Sequence, residues 1–296
     1  MTENRILGCI VGGAIGDAFG GLYEGGPPHK PISNHQQLNL SDDTQLTLAT
    51  CEAIIEQGGR VVPSAIAEKF AQWYRESRIT GIGASTQKAL SELAAGGHWA
   101  LVGRKGDRAA GNGAAMRAAP LAFCLDPHKS VDRRTIRDVS RITHHHEEAY
   151  AGTLAIAIAI HAAYNANWDS DESLIELVID ALPDTQVRDR LISLSKLAPD
   201  ISIAEIGRTY GSSGYVADSV PLALIGAQRI NRIGFAKLID QLIAVGGDTD
   251  TIASMAGQVA GILIGYDQLP KEMISRLSDR EQIEGTAREF AVVLNR

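Results

Sequence analysis

Aromatic residues are scarce in this 296-residue chain, with Phe, Tyr and Trp together at 5%. No alternating apolar–polar run is bracketed by hairpin turns. Without aromatic and β-branched alternation, sandwiches and barrels lose their sequence signature. Cysteine is nearly absent: Cys9, Cys51 and Cys124 are odd in number, widely spaced and form no Cys-x-x-Cys. That excludes a disulfide framework and a cysteine zinc site, and fits buried thiols in a reducing compartment. Positive charge is short as well. A net charge of −7 argues against a general nucleic-acid or membrane-surface binder, so any bound anion must be held by local devices. Long apolar runs are missing. The stretch 6–22 is glycine-rich and broken by Asp17, and the lipobox-like ILGC at 6–9 has only eight residues before Cys9, too few for a signal region. A cytoplasmic location is the expectation by elimination. No Pro/Gly/Ser linker, charge block or internal repeat divides the chain, which predicts one domain over 1–296 and excludes a solenoid.

What is present is helical periodicity. Ala, Leu and Ile recur at helical spacing over 5–22, 43–57, 64–76, 85–95, 113–125, 132–142, 147–165, 172–181, 187–197, 202–209, 216–231, 235–244, 251–264 and 280–294. The expected fold is all-α, a single compact multi-helix domain. Two of these helices carry glycine every fourth residue: Gly8, Gly12, Gly16 and Gly20, then Gly257, Gly261 and Gly265. Glycine in a helix costs about 1 kcal/mol relative to alanine, so the stripes suggest close backbone approach between tightly packed central helices, and are equally consistent with glycines that simply tolerate a crowded core.

Two short segments carry the chemistry. SDDT (41–44) and GGDTDTIASMAG (246–257) each place acids and hydroxyls at a helix start. Capping accounts for one or two such residues per helix. It does not account for Asp42 beside Asp43 or Asp248 with Asp250, because neighbouring carboxylates repel unless a cation or proton lies between them. Ser41, Asp42, Asp43, Asp248, Asp250 and Thr251 form a hard-oxygen donor set that selects Mg²⁺, Mn²⁺ or Ca²⁺ over zinc or copper. Four carboxylates exceed the needs of one Mg²⁺ and fit a two-metal site.

These motifs, with GGAIGDAFGGLYE (12–24), GNGAAMR (111–117), TH (143–144) and GYDQLP (265–270) in this order, resemble the ADP-ribosylglycohydrolase family, the family of dinitrogenase reductase-activating glycohydrolase. The resemblance runs over nearly the whole chain. It implies an all-α fold, two Mg²⁺ or Mn²⁺ ions held by the six residues above, and hydrolysis at C1 of the distal ribose of an ADP-ribosylated protein or small-molecule conjugate, with ADP-ribose as product. Asp43 and Asp250 are then catalytic through the metals. Glu24 matches the glutamate of the serine-linkage branch, an acid–base or gating residue. His144 matches a contact to the distal ribose. The glycine-rich turns TGIGAS (80–85), AGNGAAM (110–116) and YGSSGYV (210–216) offer helix-start amides to a diphosphate, which gives Gly81, Gly83, Gly111, Asn112, Gly113, Met116, Gly211, Ser212 and Tyr215 as substrate-binding candidates.

Other residues read more plainly. Three consecutive side chains on a helix diverge, so HHH (144–146) is no zinc site, and His145 and His146 are expected to face solvent. His161, in an apolar run, is expected to be a core residue with a backbone partner. Asp17 is either the hydrogen-bond partner of a ligand or a helix-terminal residue. Two positions depart from the family's patterns. Gly81 stands where arginine-specific relatives often have an aspartate, and Ala110 where the serine branch has a tyrosine to stack adenine, leaving Tyr215 or Trp99 for that role. An O-linked substrate is expected over an arginine-linked one. A haloacid-dehalogenase-like phosphatase, suggested by LIAVGGDTDT, requires that motif near the N-terminus of a strand–helix alternation, and a non-catalytic relative is expected to lack ligands that are present here.

Overall fold

The computed structural model describes residues 2–26, 37–165, 168 and 174–295. Among the described residues sixteen α-helices follow one another, the first eight being α1 (Thr2–Gly20), α2 (Asp42–Glu56), α3 (Pro63–Arg75), α4 (Ala84–Ala94), α5 (Ala119–Cys124), α6 (Ser130–Arg141), α7 (Glu147–Tyr164) and α8 (Leu174–Ala181). The second half holds α9 (Gln186–Ser195), α10 (Ile203–Tyr210), α11 (Val216–Ala227), α12 (Ile230–Ile233), α13 (Phe235–Ile243), α14 (Thr249–Ile264), α15 (Lys271–Ser275) and α16 (Arg280–Leu294). Two-residue strands β1 (Arg104–Lys105) and β2 (His144–His145) pair in parallel. The expected all-α class therefore holds.

Helices α1, α7 and α14 are buried on nearly every face, which marks them as the centre. The glycine stripes explain how α1 and α14 lie together. A Cβ on Gly12 would stand 2.4 Å from Gly257 O, and one on Gly261 would stand 2.0 Å from Gly8 O. Gly8 faces Gly261, Gly12 faces Gly257 and Gly20 faces Thr249, so the two helices run antiparallel in backbone contact. This places the C-terminal end of α1, with Asp17, beside the N-terminal end of α14, with Asp250. α7 and α11 pack against α14, and α2 and α16 pack against α1. The remaining helices form an outer shell: α3 lies on α2, α4 on α3, and α5 and α6 on α7.

Several expected boundaries move. The helix expected over 113–125 is only α5; residues 113–117 form turns, and Pro120 begins the helix in the first turn, where its missing N–H costs nothing. The helix expected over 216–231 ends at Ala227 and restarts as α12, although α11 continues through Pro221. Residues 172 and 173 of another expected helix lie outside the described residues. The short α15 and the β1–β2 pair have no counterpart among the expected elements. Cys9 and Cys51 are buried, whereas Cys124 is only partly so. Among the described residues no helix is long and apolar enough to cross a membrane.

Candidate active site

The antiparallel α1–α14 pair sets one side of an acid cluster, and Asp17 fixes the other. Both oxygens of Asp17 accept from Ser41 N at 3.1 Å, Oδ1 accepts from Ser41 Oγ at 2.7 Å, and Oδ2 accepts from Thr44 N at 3.1 Å. This buried carboxylate holds the first turn of α2, where Ser41 is the N-cap, its Oγ accepting from Asp43 N. Asp17 thus stands in the last turn of α1 and bonds Ser41, one of the expected ligands. α2 is then tied to α14, since Thr251 Oγ1 donates to Asp43 Oδ2 at 3.3 Å. At the head of α14, Asp248 accepts from Asn112 Nδ2 at 2.6 Å and donates its backbone N–H to Ser212 O at 2.8 Å, while Asp250 Oδ1 accepts from Thr251 N at 2.8 Å.

These acids lack compensating charge. Burial, and then mutual repulsion, pushes Asp42, Asp43 and Asp250 above the ordinary carboxylate range, and Arg117 only partly offsets this at Asp42. Asp43 Oδ1 is buried without a hydrogen-bond partner. One carboxylate oxygen each from Glu24, Asp248 and Asp250 lie within 4.8 Å of one another. An orphaned oxygen among converging hard donors, with no thiol, fits Mg²⁺ or Mn²⁺.

Above the cluster lies a cavity of about 480 Å³. Asp42, Asp248, Asp250 and Thr251 form its acidic floor, and Glu24 stands exposed at its rim. Its walls include Gly81, Gly83, Gly111, Asn112, Gly113, Met116 and His144. Twelve of the residues singled out in the sequence thus meet at one surface. Asp43 and Ser41 do not line it. Asp43, 1% exposed, lies beneath, and Ser41 faces a smaller cavity of about 280 Å³ that shares Glu24 and Asp250.

The turn 210–216 contributes differently from expectation. Ser213 and Gly214 line the cavity, and Gly211, Ser212 and Tyr215 do not. Gly211 ends α10 at φ +97°, and a Cβ there would meet the Asp218 carboxyl at 2.6 Å. Ser212 positions Asp248 through its carbonyl, so closely that a Cβ on Gly247 would come within 2.2 Å of that oxygen. Tyr215 bridges to Gly111 and reaches Gln186 Oε1 at 3.3 Å, and Trp99 stacks on His98. Neither faces the cavity, and among the described residues no Phe, Tyr or Trp ring does. Asn112 is engaged with Asp248 and Ser219, so it orients the acid head of α14. The turn 112–117 opens no helix directly, whereas α4 does begin at the cavity, contributing Ala84, Ser85 and Thr86.

His144 sits in extended backbone of β2, not on a helix, so its neighbours alternate in direction. His145 is half-buried with Nε2 2.6 Å from Val102 O, and His146 caps α7, its Nδ1 accepting from Glu148 N at 3.1 Å. The solvent-facing expectation for these two is thereby corrected: both are built into local structure. His161 has its backbone partner, Ala122 O at 3.2 Å, but it is only partly buried and not the core residue expected. His144 Nδ1 lies 2.7 Å from Thr143 Oγ1, which accepts from Arg117 Nη2 at 2.6 Å. Burial, and then the charges of Arg117 and Arg104, lower its pKa to about 3, so the ring is neutral at ordinary pH. Arg117 and Thr143 were not singled out from the sequence, although both lie inside the quoted motifs.

The family model described as ADP-ribosylglycohydrolase matches residues 1–296. The chain is 31% identical to the ADP-ribosylarginine hydrolase Tri1 of Serratia proteamaculans (strain 568), over 97% of this chain and 79% of that protein. It is 26% identical to the ADP-ribosylhydrolase ARH3 of Homo sapiens, over 90% and 87% of the two chains. It is also 26% identical to the ADP-ribosyl-[dinitrogen reductase] glycohydrolase of Rhodospirillum rubrum, over 96% and 93%. A solved structure described as an ADP-ribosylglycohydrolase-related protein complex superposes with a TM-score of 0.77 at 26% identity, covering 99% of this chain and 98% of that one. The chain belongs to the ADP-ribosylglycohydrolase family.

Proposed function

We propose that this member of the ADP-ribosylglycohydrolase family hydrolyses the glycosidic bond at C1 of the distal ribose of ADP-ribosylated substrates and releases ADP-ribose. The observation that carries the reading is the convergence of acids from α1, α2 and α14 around the unpartnered Asp43 Oδ1, under a cavity walled by glycine turns. Ser41, Asp42, Asp43, Asp248, Asp250 and Thr251 would hold two Mg²⁺ or Mn²⁺ ions. When bound, these would offset the buried negative charge and hold the vicinal oxygens of a sugar.

The chain's own residues account for the other requirements. Backbone amides at the start of α4 hold the diphosphate despite the net charge of −7, because a helix N-terminus presents unpaired donors. The acidic floor tolerates the positive charge that builds on the sugar as the leaving group departs. Glu24, at the rim between the two cavities, is placed to move a proton to or from the reacting oxygens.

The linkage we favour is O-glycosidic, to serine or an acyl group. Gly81 has φ +74°, and a Cβ there would press to 3.1 Å from Ser41 Cβ, so no side-chain acid stands at that place to meet a guanidinium. Arginine linkage is the second reading, favoured by the 31% identity to the Tri1 hydrolase. Incubation with serine-, arginine- and O-acetyl-linked ADP-ribose, with Mg²⁺ or Mn²⁺ and then with excess chelator, tests both. The expected result is metal-dependent release of ADP-ribose, faster from an O-linked substrate, abolished by Asp250→Ala. Faster release from arginine overturns the linkage. No release from any of the three substrates overturns the activity.

A further inference from the structure

Behind the cavity wall, a line of buried hydrogen bonds ends at His144. Arg117, 1% exposed, donates Nη1 to Gly113 O and Nη2 to Thr143 Oγ1 at 2.6 Å, and Thr143 Oγ1 lies 2.7 Å from His144 Nδ1. A guanidinium only donates, so the threonine oxygen accepts from Arg117. The hydroxyl has one proton, and His144 Nδ1 is its one remaining partner among the described residues. If Nδ1 carried a hydrogen, Thr143 Oγ1 would accept twice and its own proton would be buried with no acceptor, which costs the full desolvation of that donor. If the hydroxyl donates to Nδ1, every group along the line is matched. The ring hydrogen then belongs on Nε2.

The Nε2 edge is the one that faces the cavity. A Cβ on Gly111 would stand 3.2 Å from Nε2, and one on Gly113 would stand 2.9 Å from Cε1, so only glycine at both positions leaves that edge clear. Nε2 itself has no hydrogen-bond partner among the described residues, and His144 lines the cavity. Arg117 also grips the carbonyl of Gly113, joining the turn that bares the ring to the residue that orients it.

We propose that Arg117 is a positioning residue: through Thr143 it fixes His144 as the Nε2–H tautomer, so that His144 presents the cavity with a hydrogen-bond donor for an acceptor oxygen of the bound sugar. In this state His144 gives a hydrogen bond and takes no proton from water. The ligand half rests on the cavity being an ADP-ribose site; the tautomer half does not.

Nitrogen-15 spectroscopy of the imidazoles in ligand-free protein reads the tautomer, with His144 identified by the signal lost in His144→Asn. The wild type and Thr143→Ser should both show hydrogen on Nε2. Thr143→Val keeps the side-chain shape and deletes the hydroxyl, and Arg117→Met deletes the donor that orients it; both should show a mixed or reversed tautomer. Calorimetry with ADP-ribose should give about tenfold weaker binding to Thr143→Val, as expected for one lost hydrogen bond, with Thr143→Ser near wild type. A purely structural role would lower the melting temperature without moving the nitrogen signals. Hydrogen on Nδ1 in the wild type overturns the proposal even if neither hydroxyl-free nor arginine-free variant folds. So does a folded Thr143→Val that keeps the pure Nε2–H signal and full affinity. A wild type with hydrogen on Nε2 that does not bind ADP-ribose instead overturns the functional reading and leaves the tautomer standing.

Discussion

His144 shows how one residue makes the whole chain sensitive to pH. Its ordinary pKa is 6.5, and burial with Arg117 nearby lowers it to about 3. Between these values the unfolded chain takes up a proton that the folded chain refuses. The stability this site contributes is therefore fully present above pH 6.5 and is lost as pH falls through the interval. At about 1.4 kcal/mol per unit, roughly 2 kcal/mol is gone by pH 5. Urea unfolding at pH 7 and pH 5 should show the wild type losing that much more than His144→Asn; equal losses would mean that the ring protonates freely in the fold. At this scale the acid clusters were legible because each is contiguous: Ser41–Asp43 and Asp248–Thr251 need only one helix start each. Arg117 and Thr143 were not, since their role depends on the fold bringing together residues 26 positions apart. Gly211 and Ser212 suit ligand contact by residue type but lie off the cavity, and Asn112 lines it while also holding Asp248. Their partners Asp218 and Asp248 lie elsewhere in the chain, and only the fold reveals them.

Among elements, the α1–α14 pair carries the site. Its glycines let two backbones touch, and that contact brings Asp17 to Asp250. Gly12→Ala would drive a methyl to 2.4 Å from a backbone carbonyl that no rotamer change can move. The expected loss is about 3 kcal/mol or more by chemical denaturation, at the upper end of overpacking costs. Gly285→Ala in α16 is the control: nothing lies within 4 Å of its Cβ, and the change should stabilise by about 0.5–1 kcal/mol. If both variants lose stability alike, the stripe is not a packing device. Helix existence was legible from periodicity wherever a helix was long and flanked by Gly, Pro or a cap. It failed where a buried turn has helix-compatible composition, as in AAMRA (114–118) before α5. The pair β1–β2 was invisible because two residues cannot show an alternation.

The whole molecule concentrates negative charge where it costs most. Its surface charges are mixed, yet Asp17, Asp42, Asp43 and Asp250 are buried together, with Arg117 as the buried cation acting on Asp42. Such an interior is stable only when the acids hold protons or cations, so on the proposed metal site folding and metal binding should be linked. Mg²⁺ at a hundredfold excess over its Kd should then add about 2.7 kcal/mol, or about 5 °C for a chain of this size. Asp43→Asn separates the metal effect from simple loss of structure. Its carbonyl oxygen can still accept from Ser41 and Thr251, as Oδ2 does, while the charge facing Asp250, Asp17, Asp42 and Asp248 is gone. Without metal, the variant should melt at or above the wild type, and Mg²⁺ should no longer raise its melting temperature. The functional group and the destabilising group are then the same carboxylate. A variant that melts well below the metal-free wild type would show that Asp43 is a structural acid, and one that still gains about 5 °C with Mg²⁺ would remove it from the metal site.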